Sequence, residues 1–323
     1  MNKENVLSKI GKMPEEEVID LACNTSDVEI LKMLAVNENC EVRWAVAGNK
    51  NTPVEKLTVL ASDETWWVRC AVARNENAPI ELLIVLAQDK HCWVRGAVAE
   101  NENTSADVLA MLAKDKDCYV RKAVARNKNT PIELLTVLAQ DTDWRVRIDV
   151  AENKNTSVNV LAMLAKDKDD DVRMAVANNR NTSADVLAML AHDEDRDVRK
   201  AVALNENTSK ETLAVLASDK DWWVRRTVAE NKITSIETLA MLAQDKDADV
   251  RSEVAANENT SRETLAVLAQ DESWRVRSVI AKNENTPVET LAMLSKDNNE
   301  WVSEAAKDAL KERKEKSKTS MER

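Results

Sequence analysis

Three observations predict an all-α solenoid of about eleven two-helix repeats. A 26-residue unit recurs without insertion, its opening asparagine at Asn49, Asn75, Asn101, Asn127, Asn153, Asn179, Asn205, Asn231, Asn257 and Asn283. The composition has only three glycines and no phenylalanine and is dominated by Ala, Leu, Val, Glu and Lys, which favours helix over sheet. Within each repeat the apolar residues fall at helical spacing, in two stretches separated by an Asp-led turn. Self-similarity at a fixed period of a few dozen residues implies a stack in which each repeat buries its apolar face only against its neighbours.

The repeat reads N-x-N-T-[PS]-x-[ED]-x-L-x-[VM]-L-A-x-D-x-x-x-x-V-R-x-A-V-A-x. Its start supplies the first helix. In Thr52, Pro53 and Glu55 the threonine is expected to cap, the proline to take the first helical position and the glutamate to close a capping box. Leu57 and Leu60 lie on one side of this helix and Val59 on the other, which predicts a helix sandwiched between neighbours, with the methionines that alternate with Val59, such as Met111 and Met163, as core filling.

The second helix is predicted to begin after the seventeenth position of the repeat, often a good cap: Asp117, Asp143, Asp169, Asp195, Asp221 and Asp247. Its end falls at the N-x-N pair, where an asparagine in the left-handed conformation would stop a helix without glycine. At about 100° per residue the valines at positions 20 and 24 share one face, while positions 18, 19, 22 and 26 fall on the opposite arc.

That opposite arc is where the repeats differ. Asn103 to Ala113 matches Asn181 to Ala191 residue for residue, yet Cys118 and Tyr119 become Arg196 and Asp197. All nine tryptophans and the only tyrosine lie at positions 18, 19 and 22: Trp44, Trp66, Trp67, Trp93, Tyr119, Trp144, Trp222, Trp223, Trp274 and Trp301. Equivalent sites also hold Arg145, Asp170, Asp171, Arg226 and Arg275. A core could not accept Trp, Asp and Arg at one site, because cavity and desolvation costs are on the order of 2–5 kcal/mol each. The variable positions are therefore expected to face solvent, and clustered exposed aromatics mark interaction surfaces.

Composition narrows the function. A formal charge of -11 works against nucleic-acid or anionic-membrane binding. No apolar run approaches the roughly 18 residues of a membrane span, and residues 1–13 hold no apolar signal core, so a soluble cytoplasmic protein is expected. His91 and His192 are too far apart in sequence for a metal site or a triad, and the acids near Asp169 and Asp193 lack calcium-loop spacing. Neither a phosphate loop nor a nucleophile elbow is present, so no catalytic residues, metal or cofactor are expected and the chain is read as no enzyme. The arginines that follow the position-20 valine, from Arg43 to Arg277, most with an aspartate six residues before them as Asp63 precedes Arg69, could form a phosphate track; a charge-assisted Asp–Arg ladder between repeats is the reading preferred.

The frame L-x-x-L-A-x-D-x-x-x-x-V-R-x-A-V-A-x-N, as in Leu57 to Ala73 followed by Asn75, resembles the leucine-rich repeat variant family and, more distantly, HEAT-type repeats. The resemblance implies a right-handed superhelix of paired short helices, one of them possibly 3-10, with the second helices on the inner surface. It also brings to mind an iron–sulfur cluster, but Cys23, Cys40, Cys70, Cys92 and Cys118 form no C-x-x-C or other close grouping.

The chain is thus read as an N-terminal helical cap at 1–22, a solenoid at 23–308 and a charged tail at 309–323 that frays. The functional expectation is a scaffold that binds a protein or peptide through the variable, Trp-rich face, whose focused variation suits a surface diversified for recognition. The partner is expected to be apolar at its flanks, facing Trp44 to Trp144 and Trp222 to Trp301, and basic at its centre, facing Asp169 to Asp171 and Asp193 to Asp197. The alternatives are a HEAT-like nucleic-acid-binding or repair protein and an iron–sulfur redox protein.

Overall fold

The computed structural model describes residue 10 and residues 12–321, and every regular element among them is an α-helix. The chain divides into two compact halves, residues 1–160 and 161–323, both made of the same repeat. A repeat consists of a seven-residue first helix, such as Val54–Leu60, and a nine-residue second helix, such as Trp66–Arg74. Both are α-helical, leaving no 3-10 element in the pair. Helices this short are not stable alone, so tertiary burial holds them. Leu57, Leu60, Val68 and Val72, with their equivalents down the chain, are almost wholly buried. Each such side chain contributes roughly 1.5–3 kcal/mol. Within each half, successive second helices pack chiefly on one another, and first helices such as Val54–Leu60 rest on the second helices that flank them in sequence.

The cap of the first helix differs from the expectation. Pro53 is itself the N-cap, at φ -69° and ψ 148°, and makes no side-chain cap bond. Thr52 instead points its buried hydroxyl backward and donates to the Val46 carbonyl at 2.5 Å. The last carbonyls of a helix lack intrahelical partners, and in this stack the threonine supplies one. Thr130 and Thr286 do the same for Val124 and Ile280. Where serine replaces proline it caps directly, as Ser209 does by accepting from the Thr212 N–H at 3.1 Å.

Position 11 is also corrected. Val59, Met111, Met163, Met189, Met241 and Met293 are exposed rather than core filling. The first helix has one buried face only, with Leu57 and Leu60 buried and Val54 and Val59 exposed.

At the second helix the aspartate caps form as the spacing predicts: Asp117, Asp143, Asp195, Asp221 and Asp247 each accept a backbone N–H from two residues on, at 2.7–2.9 Å. Asp169 makes no such side-chain bond. The helix end is a correction, because no described residue has positive φ. Asn75 stops its helix at φ -67° and ψ 127°, which is extended backbone. Its successor Asn101 shows what the side chain does: Nδ2 donates to the Ala73 and Asn75 carbonyls, which flank the start of the preceding repeat, at 2.7 and 3.1 Å, and Oδ1 accepts from the Asn103 N–H at 2.8 Å. The asparagines therefore splice repeats together.

A second ladder runs beside it. Nine arginines, including Arg43, Arg69, Arg173 and Arg277, reach forward to the aspartate of the next repeat with Nε–Oδ2 distances of 2.5–2.7 Å.

Both ends of the stack are tied in. Helix Glu15–Asn24 buries Val18 and Ala22, and the Ala22 carbonyl accepts from Asn49 Nδ2 at 2.9 Å. Residues 1–9 and 11 of the expected N-terminal cap lie outside the described residues. The segment read as a frayed tail continues helix Glu300–Met321. Residue 309 would hold the next asparagine but is Ala309. Arg313 supplies its donors instead, to the carbonyls of Asn283 at 3.2 Å, Glu284 at 2.9 Å and Thr286.

Candidate functional site

In the N-terminal half the variable positions make an aromatic cluster. Trp44, Trp67 and Trp93 are 41–47% exposed, and Trp66 is half-buried. Trp66 meets Trp67 edge to face at 5.7 Å and lies flat on His91, the ring centroids 4.3 Å apart and the planes 3° from parallel. Trp93 leans on Tyr119 at 4.2 Å. The four tryptophans enclose an open groove of about 460 Å³ floored by Gly48, Cys70 and Ala71, with Arg74 at its rim.

Small residues shape this groove. A methyl group on Gly96 would come within 2.2 Å of Tyr119 Cε1, so the ring packs where only glycine leaves room. Gly48 has open space where its side chain would project, and the groove extends into it. Cys70, at a variable position expected to face solvent, is buried on the floor, because large indoles above a small side chain cover it. Burial pushes its thiol up to about 11, which makes it an unreactive floor rather than a nucleophile.

Polar groups around the cluster are mutually occupied. Arg74 donates to Glu100 Oε2 at 2.9 and 3.1 Å, and the Tyr119 hydroxyl donates to Glu100 Oε1 at 3.0 Å. Burial, reinforced by the Glu100 carboxylate, pushes the phenol up to about 12. Further along the same half, Trp144 lies under the Arg145 guanidinium at 6.0 Å, and Arg145 holds Asp143 at 2.8 Å, keeping that carboxyl well below its usual range.

In the C-terminal half the face is mixed in charge. Asp170 and Asp171 are exposed. Asp193 is consumed by Arg173 and Asp195 by its cap bonds, so neither adds to an open acidic surface. Arg196 lies 4.0 Å from Asp197 and 3.7 Å from Asp221, and Lys200 sits 4.7 Å over the Trp223 ring. Of the acidic centre expected from the sequence, the frame aspartates Asp193 and Asp195 have structural partners, while Asp170, Asp171, Glu194 and Asp197 remain exposed. Trp222 and Trp223 pack at 5.4 Å, Arg226 pairs with Glu253 at 3.2 Å, and Arg275 lies 5.9 Å from the Trp274 ring. Trp301 is 70% exposed, with no ring partner among the described residues.

The chemistry of the other candidates follows from the same geometry. The frame arginines, such as Arg69 and Arg199, are buried and ion-paired, which does not suit a phosphate track. The five cysteines are free thiols spread over four repeats. No group of three or more His, Cys, Asp or Glu side chains among the described residues could hold a metal ion, so the donor set does not fit an iron–sulfur cluster. No helix among the described residues is long and apolar enough to cross a membrane.

Sequence reasoning missed the stacking of His91 on Trp66, the half-occupied charges and Asp149. The last stands where most repeats have alanine and is 2% exposed. Two of the three glycines, Gly48 and Gly96, lie on the variable face beside the aromatics, a signal of the groove that was there to be read.

Residues 170–195 match the family described as leucine rich repeat variant. A solved structure described as a leucine-rich repeat variant with a novel repetitive structural motif is similar over 68% of this chain and 87% of its own, at 29% identity and a TM-score of 0.55. Importin beta is similar at 12% identity and a TM-score of 0.39, over 94% of this chain and 50% of its own. A Kap121p mutant is similar at 13% identity and a TM-score of 0.45, over 95% of this chain and 47% of its own. The chain therefore spans about half the length of these last two. No curated protein sequence matches it.

Proposed function

We propose that this chain, a member of the leucine-rich repeat variant family, is a scaffold that binds a protein or peptide through the variable face of its second helices. The observation that carries the reading is the exposure of eight of the nine tryptophans, at 36–70%, on helices whose opposite face is filled by buried aliphatic residues, mostly valines. Leaving indoles in water forgoes the burial that large aromatic side chains offer, on the order of 150–250 Å² each. A partner that covers them recovers it.

Trp44, Trp66, Trp67, Trp93, Tyr119 and Trp144 supply the apolar anchors of the N-terminal half, and Trp222, Trp223, Trp274 and Trp301 those of the C-terminal half. Arg145, Arg196, Arg226, Arg275, Asp170, Asp171 and Asp197 supply selectivity, with basic groups of the partner placed against Asp170 and Asp171. The reading is of a cytoplasmic binding protein, not an enzyme.

The test is affinity capture with the wild-type chain beside one in which Trp44, Trp67, Trp93, Trp222, Trp223, Trp274 and Trp301 are serine. Circular dichroism and thermal unfolding establish that both fold alike. A captured set that is the same for both chains ends the proposal; loss of specific partners from the serine variant upholds it.

A further inference from the structure

The groove of the N-terminal half has a hydrogen-bonding character that points to its occupant. None of the indole N–H groups of Trp44, Trp66, Trp67 and Trp93 has an acceptor within the described chain, and an indole can only donate. The guanidinium of Arg74 at the rim is donor-only as well. The one lining side chain that could accept, Asn75, already gives Oδ1 to the Asn77 N–H and Nδ2 to the Ala47 and Asn49 carbonyls. The site thus offers apolar walls and donors, without a free side-chain acceptor or a carboxylate.

Such a lining selects a ligand that is apolar and accepts without donating. A cationic ammonium group would meet Arg74 at the rim, and the Glu100 carboxylate there is already paired with Arg74 and Tyr119. An ordinary extended peptide would bring amide N–H groups that find no acceptor among the lining side chains. A run of prolines has carbonyl acceptors and no N–H, exposes those carbonyls in the polyproline II conformation, and is already ordered before it binds.

The spacing agrees. Trp67 and Trp93 occupy the same position on successive second helices, Trp66–Arg74 and Cys92–Glu100. Packed helices lie about 8–10 Å apart, and one turn of polyproline II, three residues at about 3.1 Å, advances about 9 Å. Prolines one turn apart would therefore meet equivalent indoles. The groove volume of about 460 Å³ lies within the range of formed ligand sites, roughly 300–1,000 Å³.

We infer that the Trp44–Trp66–Trp67–Trp93 groove binds a proline-rich peptide segment in the polyproline II conformation, with indole N–H groups donating to its carbonyls. The inference rests on the binding-scaffold reading and names the partner chemistry of one part of that face.

The experiment titrates the full chain with an acetylated, amidated decaproline and follows the indole N–H resonances by two-dimensional NMR. Matched peptides of alternating glycine and serine, and one carrying trimethyl-lysine, are run beside it. Decaproline is expected to shift several indole N–H signals of the N-terminal half, and Trp67→Ala or Trp93→Ala to weaken binding on the order of tenfold or more, while Val137→Ala, at an exposed first-helix position, leaves it unchanged.

Gly48→Glu provides a second variant that keeps every indole. Glutamate already occupies this repeat position at Glu100, Glu152 and Glu230, so the frame accepts it, and it would place a carboxylate in the groove and reduce decaproline binding. Absence of decaproline binding to the wild-type chain, equal binding of the glycine–serine peptide, or tighter binding of the trimethyl-lysine peptide overturns the inference. If capture through the tryptophans succeeds while decaproline fails, the scaffold reading stands and only this assignment falls.

Discussion

Arg95 of one repeat and Asp115 of the next form a two-point clamp, Nε to Oδ2 at 2.5 Å and Nη2 to Oδ1 at 2.9 Å, while Arg95 Nη1 donates backward to the Asp89 carbonyl at 2.8 Å. One guanidinium therefore touches two repeats, and the parallel fork suits arginine but not lysine. Arg95→Ala leaves a largely buried carboxylate without its partner and is expected to cost about 3 kcal/mol. Arg95→Lys should recover little of it. Urea unfolding of the three proteins checks both statements.

The same ladder sets the response to acid. Burial alone would raise the carboxyls of Asp89, Asp115, Asp193 and Asp219, but the hydrogen bonds from their arginines and from backbone N–H groups outweigh it and hold each below its ordinary value. A carboxyl depressed in the folded state contributes stability that is complete above its unfolded value, about 4, and is lost as pH falls through the folded value. Unfolding midpoints should be flat from pH 7 to about 5 and then fall steadily toward pH 2. Arg95→Ala should flatten part of that fall.

Asp149 has the opposite sign. Burial raises its carboxyl, opposed but not overcome by Arg126 at 2.8 Å and Lys122 at 4.0 Å, and Oδ2 has no hydrogen bond. A raised carboxyl penalises the folded state wherever it is ionised, and the penalty vanishes below the unfolded value of about 4. Asp149→Ala, which restores the residue found at Ala123 and Ala175, is expected to raise the thermal midpoint at pH 7 and to leave it unchanged near pH 3. Calorimetry at the two pH values decides.

Asn101 distinguishes a splice from a left-handed cap. Asn101→Ala takes the side-chain donor from the Ala73 carbonyl and leaves the Asn75 carbonyl with the Ala78 N–H alone, and is expected to cost about 1–3 kcal/mol. Because Asn101 has φ -71°, Asn101→Gly should not rescue it. A glycine variant as stable as wild type, measured by denaturant unfolding, would show that backbone freedom rather than the side chain ends the helix.

Gly96→Ala tests the aromatic packing. The added methyl should displace the Tyr119 ring, breaking its contact with Trp93 and its hydrogen bond to Glu100. The phenol, pushed up to about 12 in the native chain, would then titrate nearer its ordinary value of about 10. Ultraviolet titration of the single tyrosine reads this directly.

The sequence by itself determined the repeat, its two helices, the buried leucines and valines, the aspartate caps, the partnership of arginine with aspartate and the outward arc of the tryptophans. Each of these follows from spacing within one repeat or from a contrast between repeats, as between Cys118-Tyr119 and Arg196-Asp197. Only tertiary structure decided where the polar frame residues point: Thr52 to a carbonyl behind it, Asn101 to the preceding repeat, Met111 to solvent. Their partners lie in neighbouring helices, and an identical residue in every repeat carries no trace of which neighbour it meets. The groove also waited on the fold, because it arises from the distances between rings on four tryptophans, and from the space left by Gly48 and Gly96, rather than from any one residue's type.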